Sequence, residues 1–242
     1  MLSRMPFGTG AAGAKRPGQH RARRYSRPSR DYPRPLTAGR RSYGLVLLAG
    51  LNGKVPFPAK THSRFTQKST KLKPWRVLKD VIGGSTTPVT LKQSLRGGGP
   101  QKFNWNVVRD LQDQTKDRLK AAKPGKTWLT VSPSLRPSCH KGDYEGFTNV
   151  YGRMSWKLPS PTITGGCTTP CKGRFGHPDK RRLTISVREA ATIQTFPDNY
   201  RFRSNKIDAV CDMIGNAVPP AYAKLVGTQI LRTLKKEKFA RQ

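Results

Sequence analysis

The segment Ser186-Val-Arg-Glu189 constrains the fold more than any other part of this chain. A serine followed three residues later by a glutamate is a capping box, in which each side chain satisfies a backbone N–H that the first helical turn leaves unpaired. Val187, Ala190, Ala191 and Ile193 then fall on one side of the helix as a packed face, and Phe196-Pro197 marks its end. Further on, Pro219-Pro220 suits the first turn of a second helix, where no backbone donor is needed. Its stripe runs Tyr222, Val226, Ile230 and Leu234, and Lys235, Lys236 and Lys238 sit favourably at its negative end. Two such amphipathic helices require an apolar surface to cover them.

Charge limits what the rest can do. The chain carries 47 Lys and Arg against 13 Asp and Glu, a net charge of +34, with only 34% hydrophobic residues. That excess exceeds what solubility needs and points to a polyanionic partner. Residues 1–44 hold eleven Arg or Lys against the single acid Asp31, among Gly, Pro and Ser, and are expected to be disordered. An arginine-rich start also suits a mitochondrial presequence, but Pro17, Pro28, Pro33 and Pro35 would break the helix that presequences use. Cys139, Cys167, Cys171 and Cys211, with no signal peptide read at the start, are expected to be free thiols in the cytoplasm. The longest apolar run, Leu45 to Leu51, is too short to span a bilayer, so no membrane association is expected.

Between these ends the periodicity predicts a buried strand at Leu45–Ala49 and a short helix at Trp75–Ile82 stopped by Gly83-Gly84. Gly97-Gly-Gly-Pro100 is a break. Trp105, Val108, Leu111, Thr115 and Leu119 recur at three- and four-residue steps, which predicts an amphipathic helix closed by Lys123-Pro-Gly125. Residues 126–161 are expected to form loops and short strands.

The run Arg182 to Asp198 and the run Met213 to Pro220 resemble the last two sequence blocks of cytosine-5 DNA methyltransferases. Met154 to Gly166 and Gly173-Arg-Phe-Gly-His-Pro178 extend the likeness in the family's order. The resemblance implies an α/β fold: the C-terminal part of a Rossmann-like S-adenosylmethionine-dependent methyltransferase with a small, loop-rich target-recognition domain. The domains it implies are a disordered segment 1–44, a remnant strand of the catalytic domain at 45–55, a target-recognition domain at 56–180 and closing helices at 181–242. The implied chemistry is methyl transfer from S-adenosylmethionine to carbon 5 of a flipped cytosine in double-stranded DNA.

By that resemblance, a tight Gly215-Asn216-Ala217 turn and Val218 line the cofactor pocket, with Asn216 hydrogen-bonding S-adenosylmethionine. Thr162 touches a phosphate beside the extruded base, and Gly165 also belongs to the DNA-facing set. Arg188 and Glu189 organise the junction between recognition and catalytic parts. Gly39 to Ala49 resembles a damaged eighth block in which Ser42 and Gly44 stand at the two arginine positions, leaving Arg40 and Arg41 as nearby DNA contacts. The helix face bearing Val187, Ala190, Ile193, Val226 and Ile230 is expected to pack on a catalytic sheet supplied from elsewhere.

That chemistry needs a thiolate nucleophile, a glutamate at the ring N3 and a donor-binding loop. Phe7-Gly-Thr-Gly10 mimics the donor loop in letters but lacks its strand and helix, and no Glu-Asn-Val occurs. Pro170-Cys171 is the single Pro-Cys pair and follows the recognition segment, outside the family's order. No catalytic residue is therefore assigned, and the chain is expected to be an inactive C-terminal fragment by itself. Alternatives are one subunit of a split bacterial restriction-modification methyltransferase, with a separate catalytic subunit, or a basic DNA-binding protein without enzymatic activity. Cys139, His140, Cys167, Cys171 and His177 have spacing that zinc could use, but free thiols on a substrate-facing loop suit the surroundings better, and no metal is assigned.

Overall fold

The capping box at Ser186 forms as its sequence requires. In a computed structural model that describes residues 55–64, 72–140 and 148–239, the Ser186 hydroxyl accepts from the Glu189 N–H at 3.1 Å while a Glu189 carboxylate oxygen accepts from the Ser186 N–H at 2.8 Å. Helix α4 (Val187–Ile193) follows. It ends four residues before Pro197, in a turn where Thr195 takes a left-handed φ of 68°. There Phe196 N–H returns to the Ala191 carbonyl at 3.0 Å and Thr195 N–H to that of Thr192 at 2.9 Å, the paired bonds of a Schellman closure.

The strands are short, and the last helix is the longest among the described residues. Parallel pairs join β1 (His62–Ser63) to β2 (Lys73–Pro74) and β3 (Val89–Thr90) to β4 (Val107–Val108). The helices are α1 (Lys79–Ile82), α2 (Leu91–Arg96), α3 (Asp113–Ala121), α5 (Ile207–Asn216) and α6 (Pro220–Phe239). This mixed strand and helix content agrees with an α/β class. The strand foreseen at Leu45–Ala49 and the segment 1–44 lie outside the described residues.

Three expectations change. The helix foreseen at Trp75–Ile82 is the single turn α1. The one foreseen from Trp105 starts instead as a turn and a two-residue strand, because Asn104 and Trp105 both adopt left-handed backbone (φ 48° and 61°), which no helix accommodates. Beyond them Val107 and Val108 pair with Val89 and Thr90, and only Asp113–Ala121 is helical. Helix α2 went unforeseen although its start, Thr90 with Gln93, is a second capping box.

The face of α4 was expected to wait for a catalytic sheet, and the structure corrects this. Val187, Ala190, Ala191 and Ile193 are all fully buried within this chain, against Leu78, Ile82, Trp105, Met154, Ile163, Phe175, Val210 and Ile214. Burying such side chains contributes about 1.5–3 kcal/mol for each large one. The stripe of α6 behaves otherwise: Tyr222, Val226 and Ile230 are half-covered, and Leu231 and Leu234 are exposed.

Arg153 is the polar centre of this packing. It is wholly buried and lies on a chain of backbone bridges from Pro124 through Gly176 to Thr184. Its guanidinium donates to the carbonyls of Leu119 (2.7 Å), His177 (2.5 Å), Asp179 (3.3 Å) and Arg182 (2.8 Å). One side chain thus ties α3 to the segment leading into α4. Burial lowers its pKa, yet five N–H groups in a rigid fork make arginine the side chain able to satisfy so many carbonyls.

Candidate functional site

Helix α5 was not foreseen, and it changes how the Gly215–Val218 segment works. Ile207, Val210, Cys211 and Ile214 recur at helical spacing and are buried. Gly215 and Asn216 are the last helical residues, and Ala217 is extended with φ −68°. Gly215 therefore supplies no left-handed turn. Its lack of a side chain serves a close approach: a Cβ there would come within 2.1 Å of the Gly165 nitrogen and 2.2 Å of the Thr164 carbonyl carbon. Gly165 is held likewise, since a Cβ on it would meet an Asp212 carboxylate oxygen at 2.2 Å.

The expected cofactor segment and the expected DNA-facing segment therefore share a backbone contact. Along the second, Thr162 and Thr164 are exposed and the intervening Ile163 is buried, so an extended chain anchored by Ile163 turns both threonines outward. On the first, Asn216 is exposed, Ala217 half-buried and Val218 62% exposed. Arg40 and Arg41 lie outside the described residues.

Residues that the motifs did not single out hold this junction. The Gln194 amide donates to the Ile214 carbonyl at 2.7 Å, and the Thr195 hydroxyl accepts from the Ala221 N–H at 3.1 Å. A β-branched residue at positive φ is strained. Thr195 occupies that place because its hydroxyl caps the start of α6, a role glycine cannot perform. On the opposite side Arg109 donates to Thr168 at 3.0 Å and forms an ion pair with Asp208 of α5. The signal for these links is invisible in local sequence, since the partners are separated by tens of residues.

Arg188 and Glu189 sit among structural partners. Arg188 donates to the Asn104 carbonyl (2.8 Å), the Asn104 side-chain oxygen (2.6 Å) and the Tyr200 carbonyl (3.0 Å), and so secures the left-handed turn before β4. Buried Glu189 pairs with Arg182 at 2.8 Å, close enough for an ion pair though not aligned as a hydrogen bond, and lies 3.7 Å from His177. Burial raises the Glu189 carboxyl, with Arg182 opposing. Burial first, and then the Arg182 charge, pull His177 down to about 4, so its imidazole is neutral at pH 7.

The cysteines and histidines weighed as zinc ligands go to separate places. Cys139 and Cys171 are exposed, His140 stacks on Trp128 at 4.7 Å, and His177 joins Glu189. Cys167 is buried beside Cys211, whose thiol is pulled down to about 7, first by the hydrogen bond from Cys167 and then by Thr168 and Arg109. Among the described residues, no group of three or more His, Cys, Asp or Glu could hold a metal ion.

The chain was compared with known proteins. The family model for C-5 cytosine-specific DNA methylase matches residues 49–232. The type II methylase M.HgiDII of Herpetosiphon aurantiacus is 36% identical over 194 residues, covering 78% of this chain and 51% of that protein. The type II methyltransferase M1.BsuMI of Bacillus subtilis is 43% identical over 99 residues, 41% of this chain and 23% of that protein. Mouse DNA (cytosine-5)-methyltransferase 1 is 39% identical over 114 residues, 46% of this chain and 7% of that protein. The chain thus spans about half the length of M.HgiDII and less of the others. On the extent of these matches, the chain belongs to the C-5 cytosine-specific DNA methylase family.

Proposed function

We propose that this chain supplies target recognition and one wall of the S-adenosylmethionine pocket to a DNA (cytosine-5)-methyltransferase. The observation carrying this reading is the backbone contact of Gly165 with Gly215, which sets the threonine-bearing segment beside the Asn216–Val218 segment. On this reading residues 56–180 recognise double-stranded DNA and 181–242 return to the catalytic part, although one hydrophobic core draws on both. Bound S-adenosylmethionine supplies the electrophilic methyl group. Asn216 contributes a side-chain amide to hold the donor, Val218 an apolar contact, and Thr162 a hydroxyl to a DNA phosphate, while Gly165 lets the DNA-facing strand lie against α5. Arg40 and Arg41 are assigned as further DNA contacts.

Neither Cys171 nor any other residue of the chain is proposed as nucleophile, so the isolated chain is inactive and the remaining catalytic half comes from additional sequence or a separate subunit. Met213, Val218, Leu231 and Leu234, 47–62% exposed on α5, α6 and the turn between them, favour such a covering partner. No helix among the described residues is long and apolar enough to cross a membrane. A bacterial cytoplasmic enzyme acting on nucleoid DNA is the setting proposed.

The test is incorporation of tritiated methyl groups into cytosine-containing duplex. The chain by itself should match a no-protein blank, and adding the half of M.HgiDII that the chain does not cover should restore incorporation. Incorporation by the isolated chain that disappears with Cys171→Ala would overturn the assignment. Tight duplex binding, with no gain from any catalytic half, would favour the non-enzymatic DNA-binding protein.

A further inference from the structure

We propose that a recess between α3 and the segment entering α4 binds a phosphate oxyanion. Its volume is about 270 Å³, and its lining includes Arg109, Lys116, Arg181, Arg182 and Thr184, with Asp110 as the lining carboxylate. The cations come from three parts of the chain: the loop after β4, helix α3 and the residues before α4. Convergence of this kind places four positive groups around one small opening.

Each cation has a carboxylate partner: Asp208 for Arg109, Asp113 for Lys116 at 2.7 Å, Asp179 for Arg181 at 2.8 Å and Glu189 for Arg182 at 2.8 Å. None of these four carboxylates lines the recess. Donor capacity remains on the guanidinium groups, because each has five N–H bonds. Asp110 opposes an anion, but one of its oxygens is engaged by the Lys92 N–H at 2.9 Å.

A second observation points to a ligand. Thr184 is 1% exposed and its hydroxyl has no hydrogen-bond partner among the described residues. Arg182 Nε and Nη2, also buried, make no aligned hydrogen bond there. A buried hydroxyl left unpaired is unfavourable, and a phosphate oxygen is an acceptor suited to both a hydroxyl and a guanidinium. The oxyanion belongs to a DNA backbone or to free phosphate. The former rests on the DNA-binding reading proposed above, and the latter does not.

The experiment uses the full chain and T184V, which removes the hydroxyl and nearly preserves volume. Unfolding midpoints are measured with and without inorganic phosphate at constant ionic strength. Duplex binding is followed by fluorescence anisotropy across a salt series, adding Lys116→Ala/Arg181→Ala. T184V should leave the phosphate-free midpoint unchanged or raised, since the hydroxyl it removes is unpartnered. For a backbone phosphate, T184V weakens duplex binding by about two- to tenfold, and the double variant reduces the slope of log affinity against log salt by about 0.9. If phosphate stabilises the wild type but not T184V and duplex binding is unchanged, the source is free phosphate. If the wild type binds no duplex but its phosphate stabilisation still needs Thr184, the DNA reading fails and the oxyanion site stands. Equal responses of wild type and T184V to both ligands overturn the site.

Discussion

Gly215 lies so close to the backbone of Thr164 and Gly165 that a methyl group on it would come within 2.1 Å of the Gly165 nitrogen. This contact joins the segment bearing the outward Thr162 and Thr164 to the end of α5, and a side chain at position 215 would have to push the two apart.

Gly215→Ala should therefore destabilise the chain by about 1–3 kcal/mol, the cost of overpacking against backbone that cannot yield. Gly227→Ala is the contrast. That glycine lies inside α6 with open space where its Cβ would be, so alanine should stabilise by about 0.5–1 kcal/mol. Urea unfolding of both variants checks the pair; equal shifts would contradict the close approach.

Thr195→Gly should separate strain from contact. Glycine relieves the left-handed backbone but loses the hydroxyl that accepts from Ala221. Global stability should change by less than about 1 kcal/mol, the two effects being of similar size. Amide exchange at Ala221 should accelerate, and unchanged exchange there would refute the capping role.

Glu189→Ala should be severe, about 3–5 kcal/mol, because it leaves the Arg182 guanidinium buried without its counter-charge and removes the capping-box acceptor. A thermal unfolding midpoint within a few degrees of wild type would show the pair to be dispensable.

Stability should also depend on His177. Its folded pKa, about 4, lies below the ordinary 6.5, so the unfolded chain binds the proton more readily and stability is lost as pH falls from about 6.5 toward 4. The slope approaches about 1.4 kcal/mol per pH unit for one proton. Glu189, raised by burial, acts in the opposite sense as pH climbs above its ordinary 4.5. Denaturation from pH 4 to 7 on wild type and His177→Gln isolates the histidine: the variant should lose stability less steeply on acidification.

Asn216→Ala should spare the fold, since the residue is exposed, and should weaken S-adenosylmethionine binding by about 1–2 kcal/mol once the catalytic half is supplied. Thr162→Ala should loosen DNA and leave the cofactor alone. Calorimetry on the reconstituted pair measures both, and equal effects on both ligands would mean that the two segments are misassigned.

Local chemistry was legible wherever a few neighbouring residues suffice. Ser186 with Glu189 located α4, and Pro219-Pro220 located α6, because caps and missing donors act within one turn. The same rule holds for Thr90 with Gln93, whose capping box starts α2 just ahead of the Gly97–Gly99 break. Periodicity misled at Trp105: its spacing matches a helix, but the left-handed Asn104–Trp105 turn is stabilised by Arg188, which lies far along the chain. The apolar spacing of α5 is present in the sequence too, but it runs into Gly215-Asn216, residue types that favour turns as readily as a last helical turn.

The sequence by itself determined the starts of α4 and α6, the basic character and, through ordered motifs, the family, because each depends on residue type and short spacing. Only the tertiary structure decided that α4 is covered by its own chain, that Arg153 gathers four distant carbonyls, and that Gly165 rests on Gly215. Those relations join residues tens of positions apart. Their energies come from excluded volume and from polar groups paired away from water, which exist only after the segments have met.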